Sequence, residues 1–431
     1  MGKEFMSQQL LSDFDSQSAC KRLLERCDLL AGFSALKDGV LRAYLTPEHQ
    51  LANQQVADWM NAAGMSTWQD QVGNVWGRYE GNLPKAPALI LGSHLDTVPY
   101  AGRYDGILGV LSAIELVSEL NEKHIRFDHA IEIVGFCDEE GTRFGTTLIG
   151  SKALAGLWQD DWLSVTDEDG ISMAQALKNF GLDPEQCANA KLNSEKVLGF
   201  WELHIEQGPV LEAEDLPVGI VTGIAGARRA SIQLKGQAGH AGTTPMNLRR
   251  DSLCGAAEIT LAIEKIANTV GGDLVATVGQ MFTKPGAVNV ISGQTLLSLD
   301  VRSQNDQLRD QVIETINDTS EVIAGRRNLE LSWSHTHRAA AVMCEQSFQE
   351  VFAQAIDTVF MSRLPIRYLP SGAGHDAMAM AEICPMAMLF LRSPRGLSHH
   401  PDESVIPEDV NAALRVFFQS LTIYMTGITS E

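Results

Sequence analysis

Between residues 88 and 140 the chain reads ALILGSHLDTV (88–98), RYDG (103–106), then apolar residues at Ile107, Val110, Leu111, Ile114, Val117 and Leu120, then AIEIVGFCDEE (130–140). Ala88–Gly92 and Ala130–Cys137 are short apolar runs of the kind buried in parallel sheets, and the positions between them recur at helical spacing. Strand, helix, strand is the βαβ unit of α/β proteins, and such sheets bind ligands outside the carboxyl ends of their strands. His94, Glu139 and Glu140 stand at two of those ends. His204 in ELHIEQG (202–208) and His399 in GLSHHPDE (396–403) follow further strand-like runs, the last of them Pro385–Leu391. Four strand ends are therefore expected to meet at one place.

The residue types at these ends point to metal chemistry. Neutral imidazole and carboxylate together suit borderline divalent ions such as zinc or manganese, whereas all-oxygen sets suit calcium and magnesium. Three His and at least two carboxylates, with Asp105 added, are enough for two ions sharing one carboxylate, with positions left open for water and a substrate oxygen. Taken singly, each residue has a plainer reading: a lone His is more often a surface or core residue, and Asp105 stands where an N-cap Asp is common.

From about Ile224 the pattern changes. Arg229–Leu234 alternates, Arg249–Val270 is a long amphipathic helix, and Leu274–Thr283 and Ala287–Arg302 read as strands parted by Lys284-Pro285-Gly286, before a helix over Gln307–Ala324. Strand, helix, two strands, helix, strand is a self-contained α/β sandwich. The chain returns with helical Gln346–Met361. The expected architecture is α/β: a discontinuous domain, 1–223 and 340–431, with a central mixed sheet flanked by helices, and a smaller α/β sandwich, 224–339, inserted in it.

With 33 Lys and Arg against 54 Asp and Glu, the net charge of −21 repels nucleic acid and anionic lipid. No window approaches 18 uninterrupted apolar residues and no secretory leader is visible, so a cytoplasmic protein without a membrane partner is expected. Met1–Phe5 reads as a vector-derived leader ahead of Met6. The seven cysteines are scattered with no CxxC pair, as reduced buried thiols would be. Cys137 reads as a small core residue rather than a nucleophile. SGAG at 371–374 lacks the Gly-Lys-Ser/Thr continuation of a phosphate loop and reads as a tight turn.

GSHLDTV, YDG, DEEGTRF, HIEQGP, GHAGTTPM, VNVI, SGAGHDA and SHHPDE occur in this order across nearly the whole chain. In this the sequence resembles the M20-type metallopeptidase superfamily and, within it, the carbamoylase branch of allantoate amidohydrolases, N-carbamoyl-L-amino acid hydrolases and β-ureidopropionases. Dipeptidase members carry Asp where this chain has His204 and lack the HIEQGP continuation. The resemblance implies two divalent ions, zinc or manganese, held by His94, Asp105, Glu140, His204 and His399, with Asp105 bridging. Glu139 is then the catalytic base, and Asp96 orients the His94 imidazole. Gln207, His240, Asn289, Arg302, Gly374 and His375 become contacts for a small anionic ureido substrate. Taken singly, Arg302 is equally a surface ion-pair residue and Asn289 a turn residue. The resemblance further implies a homodimer in which the inserted domain serves as lid and dimerisation module. His240 and Asn289 then reach in from the partner to stabilise the oxyanion, and Gly223–Gly226 and the stretch near Ala339 act as hinges. Allantoate is the expected substrate. N-carbamoyl-L-amino acids or β-ureidopropionate are alternatives, and an aminoacylase, a dipeptidase or a metal-binding protein without turnover are more distant ones.

Overall fold

The structure, a computed structural model, describes residues 2–428; Met1, where the expected leader begins, lies outside them. The chain divides into two compact units, Met1–Thr222 with Cys344–Glu431, and Gly223–Met343. The second runs past the 339 read from the sequence because Val342–Met343 pairs antiparallel with Gly223–Ile224 and stays with it.

The first unit is built on a mixed sheet whose order is Ser66–Gln69, Val75–Tyr79, Ala130–Phe136, Ala88–His94, Val197–Ile205, Met386–Leu391 and Val218–Ile224, with Tyr368–Ser371 also paired to the last. The four central strands, from Ala130–Phe136 to Met386–Leu391, run parallel. The strands outside them are antiparallel. Every residue of Ala88–His94 and Met386–Leu391 is buried, which is why neither run alternates: helices cover both faces.

Phe200 and Trp201 are neighbours on one strand and so point to opposite faces. Phe200 packs edge-on against Phe136. Trp201 meets Phe348 and Phe352 of the helix Gln346–Phe360 and Phe417 and Tyr424 of the helix Pro407–Gly427, with centroids 5.0 to 6.3 Å away. Trp201 is fully buried, and truncating an aromatic of this kind leaves a cavity four rings line. Trp201→Ala should therefore lower unfolding stability by about 3–5 kcal/mol, read as a reduced urea midpoint at unchanged slope.

In the second unit an antiparallel sheet runs Met281–Lys284, Gln294–Ser303, Gly226–Lys235, Glu330–Ala339, with Val275–Thr277 also on Gln294–Ser303. The helices Ser252–Val270 and Asp306–Arg326 bury Ile259, Ile263, Val312 and Ile316 against Ile232, Leu234, Leu297 and Leu299. Two expected strands are each broken. Leu274–Thr283 becomes Val275–Thr277 and Met281–Lys284, and Ala287–Arg302 becomes Val290–Ile291 and Gln294–Ser303. The short Val290–Ile291 leaves the sheet to pair with Gly239–His240.

All seven cysteines are free. Six are buried, but Cys254 is exposed, on the helix face away from the core, contrary to the expectation of buried thiols throughout. No helix among the described residues is long and apolar enough to cross a membrane.

Candidate metal centre

His94 ends one central strand, and its Nδ1 lies 2.9 Å from the Asp96 carbonyl. In the neutral ring that nitrogen donates its proton, leaving Nε2 unprotonated and turned 3.6 Å from Asp105 Oδ1. His204 repeats the arrangement one strand over: Nδ1 is 2.8 Å from the Ile205 carbonyl, and Nε2 is 3.1 Å from Asp105 Oδ1. His204 Nε2 is buried and makes no hydrogen bond. Gly106, next to Asp105, has φ +74°, and a Cβ there would lie 2.5 Å from the His94 ring, so only glycine lets the chain turn here beneath the imidazole.

The helix Ile107–Glu122 begins at Gly106 without a side-chain cap. Asp105 is thus not the helix cap. Its Oδ2 instead accepts from Ser398 Oγ at 2.6 Å and Gln207 Nε2 at 2.8 Å, and lies 3.2 Å from His399 Nε2. His399 Nε2 is also 3.3 Å from Glu140 Oε1. Between the two adjacent histidines, His399, at φ +55°, turns to these carboxylates, while His400 is exposed and receives the Asp402 N–H on Nδ1. Ligand atoms of His94, Asp105 and His204 lie within 4.8 Å of one another, as do those of His94, Glu139 and Glu140, and those of Asp105, Glu140 and His399.

The electrostatics call for positive charge. Burial opposes an imidazolium at His94, yet the nearby Asp105 carboxylate and the field of Glu139 and Asp96 outweigh it and hold the ring well above the ordinary histidine range. Hydrogen bonds donated to Asp105 and Glu140 raise His399 to about 10. Asp105 is buried, but its contacts with His204, His399 and His94 keep it well below the usual carboxylate range. A pocket that draws cationic imidazoles against carboxylates, with one buried nitrogen left bare, has the donor set of a divalent-ion site. The residues present fit two such ions.

Asp96 differs from expectation. Its carboxylate is 3.7 Å from His94 Nδ1, too far for a hydrogen bond, and accepts instead the backbone N–H of Glu139 at 3.0 Å and Glu140 at 3.1 Å. It is the Asp96 backbone that holds His94, while its side chain fixes the Glu139-Glu140 turn. Glu139 is buried, and burial pushes its carboxyl well above the usual range although His94 opposes that.

The other expected site residues are placed as follows. Gln207, at φ +57°, holds Asp105 and Ser398 through its amide nitrogen, while its Oε1 is buried without a partner. His375 is buried edge-on to His204 at 4.5 Å, its Nε2 2.8 Å from Ser371 Oγ, and burial followed by the His204 charge keeps it well below the ordinary range. The Ser371 hydroxyl closes the SGAG turn onto Ala373, and a Cβ on Gly374 would lie in ordinary contact, 3.8 Å, with Met378 Sδ. In the second unit His240 is paired with Val290, next to Asn289, whose carbonyl accepts the Ala241 N–H at 3.0 Å. His240 Nδ1 accepts the Gly242 N–H at 3.1 Å, so a neutral ring carries its proton on Nε2 and offers a donor. Arg302 forks onto Asp300 at 3.0 and 2.9 Å, and Asp300 also takes Arg229 at 2.9 Å.

Three residues escaped the sequence reading. Glu202 is fully buried, accepts the Ser93 hydroxyl at 2.6 Å and lies with His204 and His375; its position two before His204 on one strand was the available signal. Ser398 and Glu403 lie against Asp105. Burial and the Asp105 charge raise Glu403 to about 7. Cys137 contacts the Val72 carbonyl and is buried, which holds its thiol well above the ordinary range and makes it inert.

The pattern of Peptidase family M20/M25/M40 matches residues 90–422. The chain belongs to this family. It is 42% identical to an N-carbamoyl-L-amino acid amidohydrolase of Geobacillus stearothermophilus, covering 89% of this chain and 93% of that enzyme. It is 38% identical to an allantoate deiminase of Arabidopsis thaliana, covering 86% and 76%. Among solved structures, a hydantoinase/carbamoylase family amidase of Burkholderia multivorans matches with a TM-score of 0.89 at 32% identity, covering 95% of this chain and 98% of that one.

Proposed function

We propose that this M20 family member is a two-metal amidohydrolase that cleaves the ureido C–N bond of a small anion, releasing ammonia and carbon dioxide, with allantoate as substrate. The coarse class, a hydrolase of carbon–nitrogen bonds other than peptide bonds, rests on the family and on relatives named amidohydrolases and deiminases. The observation that carries the metal reading is the convergence of His94 and His204 Nε2 on one oxygen of Asp105, with His399 Nε2 between its other oxygen and Glu140.

In this reading His94, Asp105, Glu140, His204 and His399 would hold two divalent ions, zinc or manganese, with Asp105 as the carboxylate shared by both ligand groups. Bound there, the ions would polarise the ureido carbonyl and acidify the attacking water. Glu139 takes the proton from that water and passes it to the leaving nitrogen, since it sits beside a ligand yet has its own carboxylate free for the transfer. His240 and Asn289 of a partner copy's second unit stabilise the oxyanion, for which the Nε2–H of His240 is suited, and Arg302 grips a substrate carboxylate bidentately by exchanging Asp300 for it. Gln207 and the Gly374-His375 segment complete the pocket. The working form is a homodimer, and the compartment cytoplasmic.

A second reading, an N-carbamoyl-L-amino acid hydrolase, is favoured by the 42% identity over nearly the whole chain. Ammonia release from allantoate, N-carbamoyl-L-amino acids, β-ureidopropionate and dipeptides, measured on zinc-, manganese- and cobalt-loaded protein, separates these. The expected result is turnover of a ureido acid with dipeptides left intact. Turnover of dipeptides alone would overturn the proposal.

A further inference from the structure

Two loops almost 300 residues apart in sequence, 102–105 and 398–403, are joined by one carboxylate. Glu403 Oε1 accepts the backbone N–H of Tyr104 at 2.8 Å and of Asp105 at 3.2 Å, and Oε2 accepts the Ser398 hydroxyl at 2.9 Å. The same hydroxyl lies 2.6 Å from Asp105 Oδ2. The fit is close: a Cβ on Gly102 would lie 2.3 Å from Glu403 Cβ and 2.4 Å from Oε1, so the Glu403 side chain lies flush on the Gly102–Asp105 backbone. Glu403 is buried, and its own N–H bonds the His400 carbonyl at 3.0 Å, closing the turn 400–403 that directly follows His399.

We propose that Glu403 and Ser398 are positioning residues that lock the loop carrying Asp105 to the loop carrying His399, so that the two side chains are ordered as one unit before an ion arrives. The inference rests on the metal reading of Asp105 and His399. Its physical content is preorganisation. Asp105 sits on a turn before a helix and His399 on an exposed loop in a left-handed conformation. Without a cross-link, each would have to be ordered separately when metal binds. Groups that orient metal ligands in this way typically govern affinity by about 10–100-fold.

The hydroxyl between two carboxylates has one proton to give, and this makes a conservative variant informative. Glu403→Gln keeps an acceptor for Tyr104 and Asp105, and its amide N–H₂ can donate to Ser398 Oγ, freeing the Ser398 proton for Asp105. Glu403→Ala keeps none of these contacts. Zn²⁺ affinity by chelator competition, the visible spectrum of the Co²⁺-loaded protein and the melting temperature of the metal-free protein would be measured for the full chain. The expected result is that Glu403→Ala binds Zn²⁺ at least about 10-fold more weakly, with altered Co²⁺ bands, while Glu403→Gln stays within about 3-fold of the parent. Equal Zn²⁺ affinity and an unchanged Co²⁺ spectrum in Glu403→Ala would overturn the proposal. Should that variant not fold, Ser398→Ala decides: weaker Zn²⁺ binding with an unchanged metal-free melting temperature supports the lock, and parental affinity overturns it. If the parent protein itself binds no Zn²⁺ or Co²⁺, the metal reading fails and the lock falls with it, an outcome distinct from failure of the lock alone.

Discussion

Glu139→Gln is expected to lower kcat by about 10²–10⁴-fold, the usual contribution of a positioned acid–base group, while the protein retains its full complement of metal. Gln has the size of Glu and keeps a carbonyl oxygen, but it cannot take a proton from water. The substitution leaves the local structure its supports: the residue 139 N–H still donates to Asp96 and its carbonyl still accepts from Leu148. Glu140, the neighbour that faces His399, is untouched. Stopped assays for ammonia on variant and parent, with metal content measured on the same samples, make the comparison. A variant that turns over at the parental rate would show that the base lies elsewhere. A variant that loses metal as well as activity would instead move Glu139 into the ligand set.

Stripping divalent ions with a chelator should abolish turnover and also lower the melting temperature, with both restored by adding zinc, manganese or cobalt. The sign follows from linkage: an ion that binds the native state but not the unfolded chain stabilises the former, by about 2.7 kcal/mol at a hundred times its dissociation constant. Without the ions the centre is also electrostatically costly, since Asp105, Glu139 and Glu140 gather around imidazoles of which His94 and His399 are pushed toward the protonated form. A drop of several degrees on chelation is expected for a unit of this size. Calorimetry of the chelated and reloaded protein reads it. A chelated protein that keeps both its melting temperature and its turnover would contradict the metal centre.

Much of the site was visible in the order of residues because strand and helix periods are local. Ala88–His94, Ile107–Glu122 and Ala130–Phe136 follow directly from where apolar residues recur. The helix Ile107–Glu122 was legible even though it is buried nearly all round, because flanking strands bounded it. The broken strands in the second unit were harder. Val275–Thr277 and Val290–Ile291 are short pieces whose apolar composition continues across the breaks, and only pairing partners show where a strand stops. The region before residue 88, with its helices Ser16–Ala31 and Pro47–Ala62, carried no motif and stayed unassigned.

Residue order and chemical type, read along the chain, were enough for the sheet's parallel centre, the insertion within it and the group of His and carboxylate residues at its strand ends, since each depends on neighbours a few positions away. Which atom each of those residues presents was settled only by folding. Asp96 turns its carboxylate to the 139–140 backbone, His399 rather than His400 faces Asp105, and Ser398 and Glu403 close on that aspartate from a loop almost 300 residues distant. Hydrogen-bond direction depends on where distant segments come to rest, and no local period encodes that.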